Sequence, residues 1–166
     1  IGSGLVGSEM CIRDRYIIAL IALPLLFSSC LKDGLDEVEY STECEITSIA
    51  FEHRWAIKSD IEGIYTLYFK ELSANYSIDS ENQTITVDIT VPGTDNTFTQ
   101  EERNKVTLSS LACSFFVSHA ASVTPLDGAP KLGTLGDYSA KSFRYRVTSA
   151  SGIYKDWELQ INSFNK

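Results

Sequence analysis

From residue 44 onward, apolar and polar residues alternate with period two rather than 3.6. The clearest stretch is Thr84–Val91, TITVDITV. It places Ile85, Val87, Ile89 and Val91 on one face and Thr84, Thr86, Asp88 and Thr90 on the other, as a half-buried strand requires. Pro92-Gly93 ends it, because proline removes a ladder donor and the pair favours a turn. Upstream, Asp79–Gln83 reads as a polar turn that joins this strand to a short extended segment, Tyr76–Ile78.

Two earlier strands are predicted. In Glu45–Glu52 the parity of Ile46, Ile49 and Phe51 shifts once, which calls for a bulge between Ile46 and Ile49. Ile64–Glu71 is rich in aromatic and β-branched residues and reads as a strand, although Tyr65, Leu67, Tyr68 and Phe69 also fit a helix. Lys58–Gly63 is the loop between them. Helical sequence is confined to a connector of one or two turns, where Thr99 can cap and Glu102, three residues on, can reach back.

In the second half, Leu111, Cys113, Phe115 and Val117 share a face. Ala121–Pro125 extends, and a Gly- and Pro-rich loop follows to about Lys141. Phe143, Tyr145 and Val147 then oppose Trp157, Leu159 and Ile161 across a Ser151-Gly152 turn, a terminal hairpin. About seven strands in one domain, residues 44–166, predict an all-β antiparallel sandwich.

The one long apolar run lies earlier. Tyr16–Phe27 is 12 residues, short of the roughly 20 that cross a bilayer as a helix, so it reads as a signal-peptide helix. Residues 1–29 are assigned as leader. The chain does not begin with Met, and SEMCIRDR resembles translated adapter sequence, so residues 1–15 are read as an artefact joined to the signal at 16–29. In the alternative, Met10 is the start and Arg13 and Arg15 form the basic n-region. Phe27-Ser28-Ser29-Cys30 resembles the lipobox of bacterial lipoproteins, which implies a diacylglycerol on Cys30. The plainer reading is an ordinary leader with an incidental cysteine. Residues 30–43, polar and acidic, then form a flexible tether from lipid to domain. Lys32-Asp33 and Asp36-Glu37 resemble, in part, the export signal of Bacteroidota surface lipoproteins; as residues alone they are a charged linker.

The formal net charge is −8. No basic cluster interrupts it, so a nucleic-acid backbone is repelled and nucleic acid is excluded as a partner.

Three stretches together resemble the immunoglobulin-like domains of unknown function in Bacteroidota surface lipoproteins: ITVDITVPG at 85–93, LACSFFVSHAASVTP at 111–125 and FRYRVTSASGIYKDWELQI at 143–161. The resemblance implies an immunoglobulin-like sandwich outside the cytoplasm and assigns no chemistry, since packing and turn signatures carry it.

Chemistry is sparse. His53 and His119 are the only histidines. Neither has ligand spacing or a nucleophile motif, so both read as surface or strand-end imidazoles; Ser118 beside His119 is no evidence of a triad. Asp79–Asn82 lacks the glycine and distal glutamate of a calcium loop and reads as a turn. No metal or cofactor is expected. Cys44 and Cys113 form a candidate disulfide in an oxidising compartment, against two buried reduced thiols as the alternative. Trp55 and Tyr138, in or beside loops, are the candidate ligand-binding aromatics, against a packing role in the interior. The expected protein is a lipid-anchored, non-catalytic binding or accessory module at the outer membrane, with a glycan or another surface protein as ligand. The alternative is an assembly subunit that pairs through its edge strands, and a hydrolase ranks third.

Overall fold

The computed structural model describes residues 39–166; the segments read from the sequence as leader, lipobox with Cys30 and tether, as far as residue 38, lie outside that range. Among the described residues eight strands occur: β1 (Ile46–Lys58), β2 (Tyr65–Asp79), β3 (Thr84–Thr90), β4 (Leu111–Val117), β5 (Ser122–Leu126), β6 (Leu135–Gly136), β7 (Ser142–Thr148) and β8 (Tyr154–Asn165). Helix α1 (Gln100–Lys105) and a 3-10 turn at Leu108–Ser110 link β3 to β4. The protein is all-β, as its alternation requires.

The strands form one curled sheet in the order β5-β7-β8-β3-β2-β1-β4-β6. Every neighbouring pair is antiparallel except β3 and β8, which run parallel, with Ile85 beside Leu159 and Val87 beside Ile161. Alternation reports which face a residue takes and nothing about strand direction, so this pair is visible only in the structure.

The curl originates in β2. Its first part, to Leu72, pairs with β1, and its second part, from Ser73, pairs with β3. One continuous strand therefore spans what the sequence suggested were two, at 64–71 and 76–78. The sheet folds over between Leu72 and Ser73, and its two parts face each other like a sandwich. Phe51 of β1 meets Tyr138 edge-on with ring centroids 5.6 Å apart, and Tyr138 meets Phe143 of β7 at 5.2 Å. Phe115 of β4 meets Tyr145 of β7 at 4.9 Å.

The residues predicted to point inward do so. Ile85, Val87, Ile89 and Val91 are all buried, as are Trp157, Leu159 and Ile161; each such side chain contributes roughly 1.5–3 kcal/mol by leaving water. The bulge appears where parity demanded it, as a register shift between Ile46 and Ser48 against β4. Thr99 caps α1 by accepting from the Glu102 N–H. Asp79 shapes the β2–β3 turn by accepting from the N–H groups of Glu81 and Asn82.

Tyr40–Lys166 is one unit, and the whole core lies inside it. Its amino-terminal end is held: Ser41 O accepts from Ser151 N, and the buried Trp157 indole donates to Cys44 O at 3.0 Å.

Two sequence-based candidates do not survive. Cys44 and Cys113 are separate buried thiols. Cys113 lies opposite Phe51, whereas Cys44 precedes Ile46, which lies opposite Val117. The five steps along the strand from Ile46 to Phe51 alone span about 16 Å, and a disulfide needs Cα atoms within about 7 Å. Burial pushes the Cys113 thiol well above its ordinary pKa, so it packs as a small apolar group. Tyr138 is completely buried and offers no ring to a ligand. The loop that carries it folds inward under Pro130, and Gly136 permits this: a Cβ at Gly136 would lie 2.4 Å from Pro130 Cβ.

Candidate functional site

Beyond Glu52, β1 has lost its pairing with β4, and before Ser73, β2 has not yet met β3. Residues 53–58 and 65–71 are therefore a two-stranded ribbon that extends past the body. The register places His53 opposite Lys70, Arg54 opposite Phe69, Trp55 opposite Tyr68, Ala56 opposite Leu67 and Lys58 opposite Tyr65. The tip is closed by Ser59 N donating to Ile64 O at 2.8 Å, and Gly63 supplies the positive φ of 80° that the turn requires.

The two faces of the ribbon differ. On the inner face, Trp55 stacks on His53 and on Tyr68 with centroids 5.7 Å apart in each case, and Phe98 tilts against it at the same distance. Phe98 is delivered by a loop that Asp95 shapes, its carboxylate accepting from the N–H groups of Thr97 and Phe98. The Lys70 ammonium, 2.6 Å from Asp95, together with those N–H groups holds the Asp95 pKa well below the usual carboxylate range. Trp55 is thus part of a packed aromatic cluster, with its rim half-exposed, rather than a ring lying free in a loop.

His53 is buried in mid-strand, not at a strand end, and its Nε2 lies 3.0 Å from Glu102 Oε1. Burial acts to raise the Glu102 pKa, but hydrogen bonds from His53 and Lys105 prevail and hold it below the ordinary value. Glu102 faces His53, so its side chain does not close the capping box that its spacing suggested. His119 is exposed, and the Ser118 hydroxyl is engaged on both sides by the Glu45 backbone, accepting from its N–H and donating to its carbonyl.

On the outer face Tyr65, Leu67 and Phe69 of β2 are 63, 72 and 67% exposed, beside Arg54, Ala56 and Lys58 of β1. Ile57, on the other face, and Ile61 and Ile64 at the tip are exposed as well. On the β1 side the edge is strapped, because Arg54 Nη1 donates to Gly133 O at 2.7 Å and so ties the long loop across it. On the β2 side, residues 65–71 present backbone groups that no other described strand pairs. The sequence carried a sign of this: Ile64, Tyr65, Leu67, Tyr68 and Phe69 are apolar at both parities, which suits a strand covered on both faces, and only one face is covered here.

A depression of about 290 Å³ lies between the Asp127 loop and β7, lined by Leu126, Ala129, Phe143 and Arg144 among others. Its charged groups neutralise each other, Arg144 Nη1 bonding to Asp127 Oδ2 at 2.9 Å.

Residues 46–160 match the DUF5018-related family. The chain belongs to that family. The DUF5018-related match opens at the first residue of β1 and runs into β8, so the ribbon belongs to the family domain. A crystal structure of a Bacteroides fragilis protein inferred to be secreted, at 1.81 Å resolution, is similar: 39% identity, TM-score 0.68, covering 75% of this chain and 98% of that one. The match takes in nearly the whole of that relative's chain. No curated protein matches the chain at a significant level.

Proposed function

We propose that this DUF5018-related chain is an exported, lipid-anchored, non-catalytic docking module at the outer membrane whose contact surface is the β1–β2 ribbon. The observation that carries this reading is the row Tyr65, Leu67 and Phe69, exposed beside an unpaired strand edge. Monomeric soluble proteins rarely leave contiguous apolar surface uncovered, and natural edges are usually blunted, so such a surface marks a place where another chain sits. Export is supported by the leader pattern and by the Bacteroides fragilis relative inferred to be secreted. A non-catalytic role is supported by the engagement of the Ser118 hydroxyl with the Glu45 backbone on both sides.

The test is a photo-crosslinking residue placed at Leu67 or, as a control, at exposed Ser109, in cells that make the full chain. A protein adduct at 67 and none at 109 is expected; no adduct at 67 ends the proposal. Intact mass of membrane-extracted protein should show a diacylated, acylated amino terminus at Cys30, and an unmodified terminus upstream would remove the anchor.

One observation favours a second reading. The half-exposed rims of Trp55 and Tyr68 lie beside Lys70 and Asp95, the combination of ring and polar groups that a sugar uses. Glycan-array binding that disappears in Trp55→Ala would support it, and an array without signal would remove it.

A further inference from the structure

We propose that the chain docked on the ribbon is a second copy of this protein, joined across a two-fold axis by antiparallel pairing of the free β2 edges about Leu67. This rests on the docking reading above and goes beyond it by naming the partner.

The first argument is a comparison of edges. At the ends of the sheet, β5 is five residues long with Pro125 in it, and β6 is two residues long. Short strands and proline are how natural sheets refuse further strands. The β1 side of the ribbon is strapped by Arg54. The β2 edge from Tyr65 to Phe69 has neither proline nor charge and no other described strand beside it.

The second argument is self-complementarity. A two-fold interface sets the same patch against itself, so residue i meets j and j meets i. Antiparallel pairing centred on Leu67 opposes Tyr65 to Phe69 twice and Leu67 to Leu67 once. All of these lie on the bare outer face, and aromatic or aliphatic cross-strand pairs each add roughly 0.2–1 kcal/mol. On the other face Thr66 opposes Tyr68 twice. Lys70 and Glu71 fall outside the paired span, so no charge is desolvated and no like charges meet. Lys70 is in any case neutralised by Asp95. Shifting the centre to Phe69 would set Glu71 against Leu67, a mismatch that selects the Leu67 register.

Because Leu67 is exposed and faces its own copy, substitutions there test the pairing without touching the core. Residues 40–166, the unit that holds the entire core, serve for the measurement by sedimentation equilibrium. Concentration-dependent dimerisation is expected. Leu67→Asp and Leu67→Lys, which oppose like charges across the axis, should each weaken it at least tenfold, and an equimolar mixture of the two should restore it. In addition, Leu67→Cys should form an intermolecular disulfide under mild oxidation while Phe69→Cys, four residues from its copy, should not. A chain that remains monomeric up to about 1 mM, or a dimer indifferent to both charge variants, overturns the inference. The crosslink at 67 separates the two readings: an adduct with a different protein leaves docking standing and removes self-pairing, whereas an adduct with the chain itself supports both.

Discussion

β3 and the first part of β2 are strands of the same sheet, yet one is sealed and the other is bare on its outer face. Ile85, Val87 and Ile89 are fully buried because β3 lies between β2 and β8, beneath the folded-over half of the sheet. Tyr65, Leu67 and Phe69 repeat the same spacing on a strand that extends past the second layer, and they face solvent. Spacing of two assigns a residue to a face. Whether that face is a core depends on what lies above it, and chain topology decides that.

The sharpest way to test the contrast uses the two aromatics that the sequence offered as ligand platforms. Tyr138 is walled in by Phe51 and Phe143, so Tyr138→Ala should cost about 3–5 kcal/mol of unfolding free energy in urea titration. Its hydroxyl has no hydrogen-bond partner among the described residues. Tyr138→Phe should therefore change stability by less than about 1 kcal/mol. Trp55→Ala, which removes a half-exposed ring, should cost clearly less than Tyr138→Ala. Equal losses at the two positions would show that the ribbon is as much core as the body.

Tyr138 also shows where legibility stopped. The strands were readable because their apolar residues keep parity: β3, β4, β7 and β8 were all anticipated from it, and so was the bulge after Ile46. Tyr138 lies in a loop with no periodicity, and its burial follows from the 126–141 segment folding beneath Pro130 at Gly136, a contact made by tertiary packing. Trp55 reads as in or beside a loop because the alternation of the first strand ends at Glu52, yet β1 continues to Lys58. The continuation is paired only by β2, and the covered positions on it are His53 and Trp55 rather than a run of aliphatic residues. The His53–Glu102 pair joins residues 49 apart in sequence, and no local pattern encodes such a meeting.

A second test compares the strands directly. Ile89→Ala in β3 should cost about 2–5 kcal/mol through lost transfer free energy and the cavity left behind. Leu67→Ala in the ribbon should remain within about 0.5 kcal/mol in the monomer, as a surface change does. Chemical denaturation at low protein concentration measures both, which keeps any association out of the comparison. A loss of several kcal/mol at Leu67 would mean that the outer face is already covered within one chain.

A third test lies where ribbon and body are joined. Glu102 reaches from α1 to His53 on β1 and is flanked by Lys105. Its pKa is lowered from 4.5 on folding, against the burial that acts to raise it. A carboxylate with a depressed folded pKa stabilises the protein above its unfolded pKa, and that contribution disappears as pH falls through the folded value. Glu45, Asp95, Asp156 and Glu158 are depressed as well, so the whole protein should lose stability in acid. The share due to Glu102 is the difference between the parent and Glu102→Gln, which keeps the shape but cannot titrate. Thermal unfolding from about pH 6 to about pH 3 should show the parent losing its advantage over Glu102→Gln, about 1 kcal/mol at the upper end, as the acid limb is crossed. An advantage that survives below that limb would mean that the pair between α1 and the ribbon holds by shape alone, without its charge.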